Sequence, residues 1–519
     1  MALTVVAGLS RPVVALSAAS AAYLLWRAHA RAGAAQSTES SDPRGLVDAN
    51  PAEAVDAKTA GIALDLAAGR LLSTTPNLLE LNLKKAGLTT LPPEIGTLKQ
   101  LKKLDVSMSP LADFPDALGE LSELRILFCL GCKFTSVPLV VGKLESLYML
   151  SFKSNALEVI DADALAPTLQ WLILTDNRLT ALPARLPKGL RKVMLTNNKL
   201  EALPDAICDC ADLELIRLAD NKLTALPNGF LSMPKLSWIA FAGNPLLEPA
   251  SGGGGGGGAA AALPQPRWVP AAELEVHEQI GAGGGGFVHR ATWSPPDGAP
   301  PRPAALKIFR DAATVTDGDP SHEIEVGAVL SHPNVVAVLG ASPAPRLGLV
   351  LELLDCSAGG TWRELGRPPN FDTCTRDTYA ADAAFAAAAV LRTARGVAAA
   401  LAHLHRSNTT HGDLYAHNTL VDKSGAAKVG DFGAAFGYDG LGAAAAPLVE
   451  RLEVRAFGCL VEELLERMEP PPPAGVLLAA PLATLRTIVE LCMAPDVAGR
   501  PSFDDICAAL HLSSFDVRP

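Results

Sequence analysis

Residues 190–212 read LRKVMLTNNKLEALPDAICDCAD, with apolar side chains at positions 1, 4, 6 and 11 and Asn198 at position 9. The pattern returns in register in units that open at Leu78, Leu101, Leu124, Leu147, Leu169, Leu190, Leu213 and Leu236, spaced by 21 to 23 residues. A repeat of that length is a single supersecondary unit that buries its apolar face only against its neighbours, so a stacked array follows. Positions 4 and 6 point inward from a short strand, because side chains two apart share a face. The ninth position holds Asn155, Asn177, Asn198, Asn221 and Asn244 in the last five units. Such a side chain turns into the stack and hydrogen-bonds backbone amides that would otherwise be buried unpaired. Cys132 stands there in the third unit, Ala86 and Ser109 in the first two. Leu-Pro pairs at Leu91-Pro92, Leu182-Pro183, Leu203-Pro204 and Leu226-Pro227 then send the chain to the outer side.

These residues resemble the leucine-rich repeat in its short, 23-residue form, typical of intracellular proteins. The resemblance implies an α/β leucine-rich-repeat solenoid over about 60–248, with a degenerate cap near Ala63–Leu72 and a concave strand face that binds a protein ligand. The asparagines are architecture, and Cys129 and Cys132 are core residues. Ser251–Ala262 (SGGGGGGGAAAA) has nothing with which to build a core, so residues 249–270 read as a flexible linker.

Composition limits the function classes. The 519 residues carry 44 Lys and Arg against 55 Asp and Glu, a formal charge of −11, which argues against a nucleic-acid partner. Nine cysteines without zinc-finger spacing argue against both a disulfide-built secreted fold and a structural zinc, and point to a reduced, intracellular protein. Residues 1–40 are apolar and nearly free of acidic groups, with Arg11, Arg27 and Arg31. The uncharged run 12–26 is shorter than the ~20 residues a spanning helix needs. An organelle transit peptide, a signal peptide or anchor, and an unstructured Ala-rich start all remain open. This segment is the one stretch suited to membrane contact. Repeats and all that follows lie C-terminal to it and share one compartment, whether cytoplasmic or an organelle.

Beyond the linker the texture changes. Ile280–Val288 (IGAGGGGFV) fits I-G-x-G-x-x-G-x-V through Gly281, Gly283, Gly286 and Val288, a hairpin whose glycines let backbone approach phosphates. Lys307 sits in an apolar run, Ala305–Ile308, where an ammonium needs an anionic partner. Glu323 has the better spacing for that role and Glu325 competes with it. His411–Asn418 reads HGDLYAHN, and Asp431-Phe-Gly433 follows Asp413 by 18 residues. Two carboxylates and a carboxamide so arranged suit a two-magnesium phosphoryl-transfer site.

Together these motifs resemble a eukaryotic-type protein kinase over about 273–512, which implies a two-lobed α+β fold, ATP and Mg2+ as cofactors, and a protein substrate. The resemblance assigns Gly281, Gly283, Gly286 and Val288 to the nucleotide cover, and Lys307 with Glu323 to the phosphates. It makes Leu351 the gatekeeper and gives adenine to the hinge at Glu352 and Leu354. It makes Asp413 the catalytic base and Asn418 and Asp431 the metal ligands. Glu453–Gly458 matches the start of the long C-lobe helix.

Several positions depart from the family pattern. Gly412 replaces the arginine that receives an activation-loop phosphate, and between Gly433 and Glu453 the only hydroxyl is on Tyr438, so activation by loop phosphorylation is not expected. Tyr415 stands where serine/threonine kinases carry a phosphate-neutralising lysine, and His417 where some tyrosine kinases carry an arginine. No clear Ala-Pro-Glu follows the short loop, and Glu450, or else Glu453, is expected to pair with Arg500 in its stead. The expected function is an ATP-dependent protein kinase, serine/threonine by preference, whose repeats select a partner or substrate. The alternative is a nucleotide-binding pseudokinase that serves as a scaffold.

Overall fold

A computed structural model describes residues 77–248 and 267–512, apart from 284, 311–317, 344–345, 358 and 471–475. The N-terminal segment, the cap near Ala63–Leu72 and the Gly-rich linker lie outside the described residues.

Each repeat contributes one three-residue strand: β1 (Glu80–Asn82), β2 (Lys103–Asp105), β3 (Ile126–Phe128), β4 (Met149–Ser151), β5 (Trp171–Ile173), β6 (Lys192–Met194), β7 (Leu215–Arg217) and β8 (Trp238–Ala240). They form one parallel sheet in sequence order, paired in a constant register. In the unit from Leu190, positions 4 and 6 are Val193 and Leu195, and both are buried. The asparagines do more than the amide pairing expected of them. Asn198 Oδ1 accepts from Leu179 N at 3.1 Å, while its Nδ2 donates to the carbonyls of Leu174 (3.0 Å) and Leu195 (2.9 Å). Asn221 and Asn244 repeat this one and two turns on, so each amide stitches its own turn to the preceding one. On the outer side the α layer of the solenoid is made of 3-10 turns, as at Pro93–Thr97 and Asp205–Asp209, each entered through a proline in extended conformation.

The second region opens with β9 (Leu274–Ala282), β10 (Gly286–Trp293), β11 (Arg302–Phe309), β12 (Val338–Ser342) and β13 (Gly348–Glu352), an antiparallel sheet in the order β12-β13-β11-β10-β9. Helix α1 (Pro320–Val329) packs beside it; Pro320 opens the helix and Asp319 caps it by accepting from Ser321 N. A helical lobe follows, with α2 (Ala387–His405), α3 (Ala446–Glu466), α4 (Val476–Cys492) and α5 (Phe503–Leu512). The short strand β14 (Trp362–Glu364) precedes α2, and β15 (Thr409–Thr410), β16 (Thr419–Asp422), β17 (Ala427–Val429) and β18 (Phe436–Gly437) carry the loops between α2 and α3. Helix α3 begins at Ala446, so Glu453–Gly458 lies in its middle and not at its start; Ala446-Pro447 is spent on its first turn.

The strand face of the later repeats is packed against this lobe. Leu215 and Trp238 belong to the same apolar cluster as α2 and α3, and Phe436, Tyr438, Val449 and Leu452 belong to that of the repeats. Phe241 meets Phe436 at 5.3 Å, and Trp171 meets Phe371 at 6.2 Å. Polar contacts tie the seam. Arg455 Nη1 donates to Lys235 O (2.9 Å) and Ser237 Oγ (2.8 Å), and Asp220 accepts from Asp319 N (2.8 Å) at the cap of α1. The strand face of the last repeats is thus occupied by this chain. On the strand face lies a cavity of about 380 Å³ lined by residues that include Lys84, Asp105, Phe128, Lys153, Ile173 and Met194.

Candidate active site

Strand β11 is held between β10 and β13, and its pairing of Lys307 with Val288 and Leu349 aims the lysine under the β9–β10 hairpin. Lys307 Nζ donates to Glu323 Oε1 at 2.7 Å and Oε2 at 2.9 Å, and to Asp431 Oδ1 at 2.9 Å. Glu323, and not Glu325, is therefore the partner from α1. Burial alone would push the Lys307 ammonium down, but Asp431 and Glu323 outweigh it and hold its pKa above the ordinary value. Lys307 in turn holds the Asp431 carboxyl below the usual range. Asp431 has φ +60°, a left-handed turn that the surrounding structure imposes on the loop leaving β17.

The hairpin comes close to this lysine. A Cβ on Gly285 would lie 3.6 Å from Lys307 Nζ, and one on Gly286 would meet Ile308 O at 2.2 Å. Gly283 N donates to Gly286 O across the tip (2.9 Å), and Gly281 packs against Val288. Leu351 and Glu352 end β13. The Glu352 side chain pairs with Lys428 at 2.6 Å and its backbone N–H donates to Ala337 O. Leu354 follows, half-buried.

The loop 411–418 lies opposite. Asn418 Nδ2 donates to Asp413 Oδ2 and to Asp413 O, both at 2.9 Å. Glu453 on α3 holds the loop from behind: its carboxylate accepts from His411 N (3.1 Å) and Gly412 N (2.6 Å) and meets His405 Nε2 at 2.7 Å. Burial opposes the charge of Glu453, yet His405 and the backbone N–H groups hold its pKa below the usual range. His417 does not reach Asp413; it pairs with Asp377 at 2.7 Å.

The repeats supply the rest of this wall, which no motif spacing foretold. Arg217 Nη1 donates to Gly412 O at 2.8 Å, and its Nη2 pairs with Asp413 Oδ1. Trp238 Nε1 donates to Leu414 O at 2.8 Å, and its ring stacks on Tyr415, 4.7 Å between centroids and 4° from parallel. Gly412 has φ +72°, and a Cβ there would lie 2.5 Å from Ile239 O in β8. The only hint in the sequence was the set of departures at Gly412 and Tyr415, both of which face the repeats.

The expected pairing of Glu450 or Glu453 with Arg500 does not occur. Arg500 is buried and donates to three carbonyls, Ala494 (2.9 Å), Arg451 (3.0 Å) and Pro234 of the repeats (2.6 Å). Burial, with Arg455 nearby, pushes its pKa down to about 10. Glu450 instead accepts from Phe503 N at the start of α5 (2.8 Å). Tyr438 is buried with its hydroxyl 2.9 Å from His405 Nδ1, out of reach of a modifying enzyme.

Residues 274–439 match the family model for the protein tyrosine and serine/threonine kinase, and residues 188–246 match that for the leucine-rich repeat. The chain is 34% identical over 173 residues to the serine/threonine-protein kinase CTR1 of Arabidopsis thaliana, which covers 32% of this chain and 18% of that one. It is 28% identical over 221 residues to the leucine-rich repeat receptor-like protein kinase PXC2 of the same plant, covering 38% and 21%. With mitogen-activated protein kinase kinase kinase 10 of Mus musculus the identity is 30% over 293 residues, covering 48% and 29%. The chain spans less than a third of the length of each of these relatives. Among the described residues no helix is long and apolar enough to cross a membrane. The lysine, the carboxylates and the hairpin above thus belong to a protein kinase domain, and the chain is one that joins leucine-rich repeats to such a domain.

Proposed function

We propose that this chain is an ATP-dependent protein kinase that moves the γ-phosphate to a protein hydroxyl, serine or threonine by analogy with its relatives. The observation that carries the reading is the Lys307 ammonium drawn between Glu323 and Asp431, with Asp413 and Asn418 bound to each other on the facing loop. The donor set fits magnesium nucleotide. One carboxylate and one carboxamide, Asp431 and Asn418, are hard oxygen ligands of the kind a magnesium ion takes when most of its shell comes from phosphates and water. Gly285 brings the hairpin backbone beside Lys307 with no side chain between them. ATP with its magnesium supplies the activated phosphoryl group; the chain's own residues position it and receive the proton. In this reading Gly281, Gly283, Gly286 and Val288 cover the nucleotide, and Leu351, Glu352 and Leu354 line its base. Lys307 binds phosphate oxygens, and Asp413 orients and deprotonates the acceptor hydroxyl. The cavity on the strand face takes a protein ligand or substrate, and the nine free thiols suit a reducing, intracellular compartment.

The test is phosphate transfer from labelled ATP with magnesium, by the full chain, to a protein mixture. Transfer by the wild type that Asp413→Ala and Lys307→Met abolish supports the reading, and phosphoamino-acid analysis then reads the acceptor. Equal silence of all three, with ATP still raising the melting temperature, overturns it in favour of a scaffold.

A further inference from the structure

The loop 411–418 carries neither lysine nor arginine. The basic groups of the loop 411–418 are two histidines, and both are engaged elsewhere, His411 Nε2 with Gly430 O (3.0 Å) and His417 with Asp377. Phosphoryl transfer spreads negative charge over the migrating group and asks for fixed positive charge around it. Arg217 provides one. It is almost fully buried, and its fork engages the Gly412 carbonyl and the Asp413 carboxylate together, while Asn418 takes the other carboxylate oxygen. Both Asp413 oxygens are thus held, from two regions of the chain.

The seam that places Arg217 has the character of a domain interior and not of a reversible lid. Apolar residues of each region belong to the core of the other. Arg500 and Arg455 satisfy part of their donors on Pro234, Lys235 and Ser237 of the repeats, so separation would strip buried cations of acceptors. Gly412 lets the β8 backbone come closer than any side chain would allow. A group placed at Asp413 by such a seam is a standing part of the site.

We propose that Arg217, supplied by the seventh repeat, is a positioning residue of the kinase reaction. It fixes the orientation of the Asp413 carboxylate, together with Asn418, so that the repeats complete the site. The inference rests on the kinase reading above. It is tested on the full chain with labelled magnesium-ATP and a mixture of casein, histones and the chain itself as acceptors. Arg217→Met is expected to lower kcat on the order of 100-fold, the usual loss for one preorganised donor. KM for ATP is expected to stay within about twofold, because Lys307 is untouched. Arg217→Lys restores charge without the fork and is expected to recover part of the loss. Arg455→Met weakens the same seam without touching Asp413 and separates positioning from docking; it is expected to retain most of the activity. Arg217→Met at or above wild-type activity overturns the proposal, and a rise would make Arg217 a block on Asp413. An equal loss in Arg455→Met also overturns it. If Arg217→Met does not fold, Arg217→Lys decides, and turnover in it at or above that of the wild type is the contrary result. Wild-type transfer no greater than that of Asp413→Ala overturns the kinase reading itself, and this proposal with it.

Discussion

The two sides of the candidate active site are built in different ways. The nucleotide side is local: Lys307, Glu323 and Asp431 come from one domain and meet within 3 Å through a strand, a helix and a loop set by that domain's own sheet. The acceptor side is composite: Asp413 and Tyr415 meet Arg217 and Trp238, which lie some 180 to 200 residues earlier in the chain. A nucleotide site can be carried by a kinase domain alone. In the proposed reading, an acceptor site walled by repeats joins the two regions in one function.

That contrast can be broken by substitution. The largest effect is expected at Trp238, buried against Tyr415 and bonded to Leu414 O. Trp238→Ala should cost about 3–5 kcal/mol of unfolding free energy, measured by urea denaturation of the full chain, because it removes a large ring from a closed interface. A loss below about 1 kcal/mol would mean that the seam collapses without harm. Next comes Gly412→Arg, which installs the family's own residue. Its Cβ would enter the space of Ile239 O and Ala434 O at a positive φ, so a destabilisation of about 2–4 kcal/mol is expected where the family pattern predicts none. A gain in stability would show that the repeats stand farther off than 2.5 Å from that position.

The smallest effect sharpens the comparison at the nucleotide side, where Asp220 of the repeats meets His322 on α1 at 3.4 Å. Burial alone would push the His322 imidazole down, but Asp220, with Asp319 and Glu325, raises it above 6.5. A raised histidine stabilises the fold fully below its unfolded pKa, and that contribution is lost as pH climbs through the folded value. Stability should therefore fall by under about 1 kcal/mol from pH 6.5 upward, the partners being partly solvated. Asp220→Asn should flatten that slope in a pH series of melting temperatures, and an unchanged slope would remove Asp220 as its source.

Much of the fold was legible because it is local. The repeat units predict the strands, since inward apolar residues at positions 4 and 6 leave the backbone little choice, and the asparagine ladder explains their register. The residues singled out by motif spacing include Lys307, Glu323 and Asp431, which the fold brings together, and Asp413 and Asn418, which bond each other. Arg217 was not among them, because it occupies an outward strand position that differs from repeat to repeat and so carries no periodic signal. Arg500 misled for a related reason. A buried guanidinium calls for acceptors, but carbonyls of Ala494, Arg451 and Pro234 serve, and those leave no trace in side-chain identity. Glu453 was visible as an oddity; its part in holding the amides of His411 and Gly412 needed the folded helix.

The central claim is that repeats and kinase domain form one folded unit with a shared site. Native-state hydrogen exchange of the full chain, followed by peptide along a urea series, tests it most directly. The account predicts that residues 213–247 and α3 open together, with one free energy and one urea dependence, because their cores interpenetrate. Repeats that exchange at low urea while α3 stays protected would contradict it.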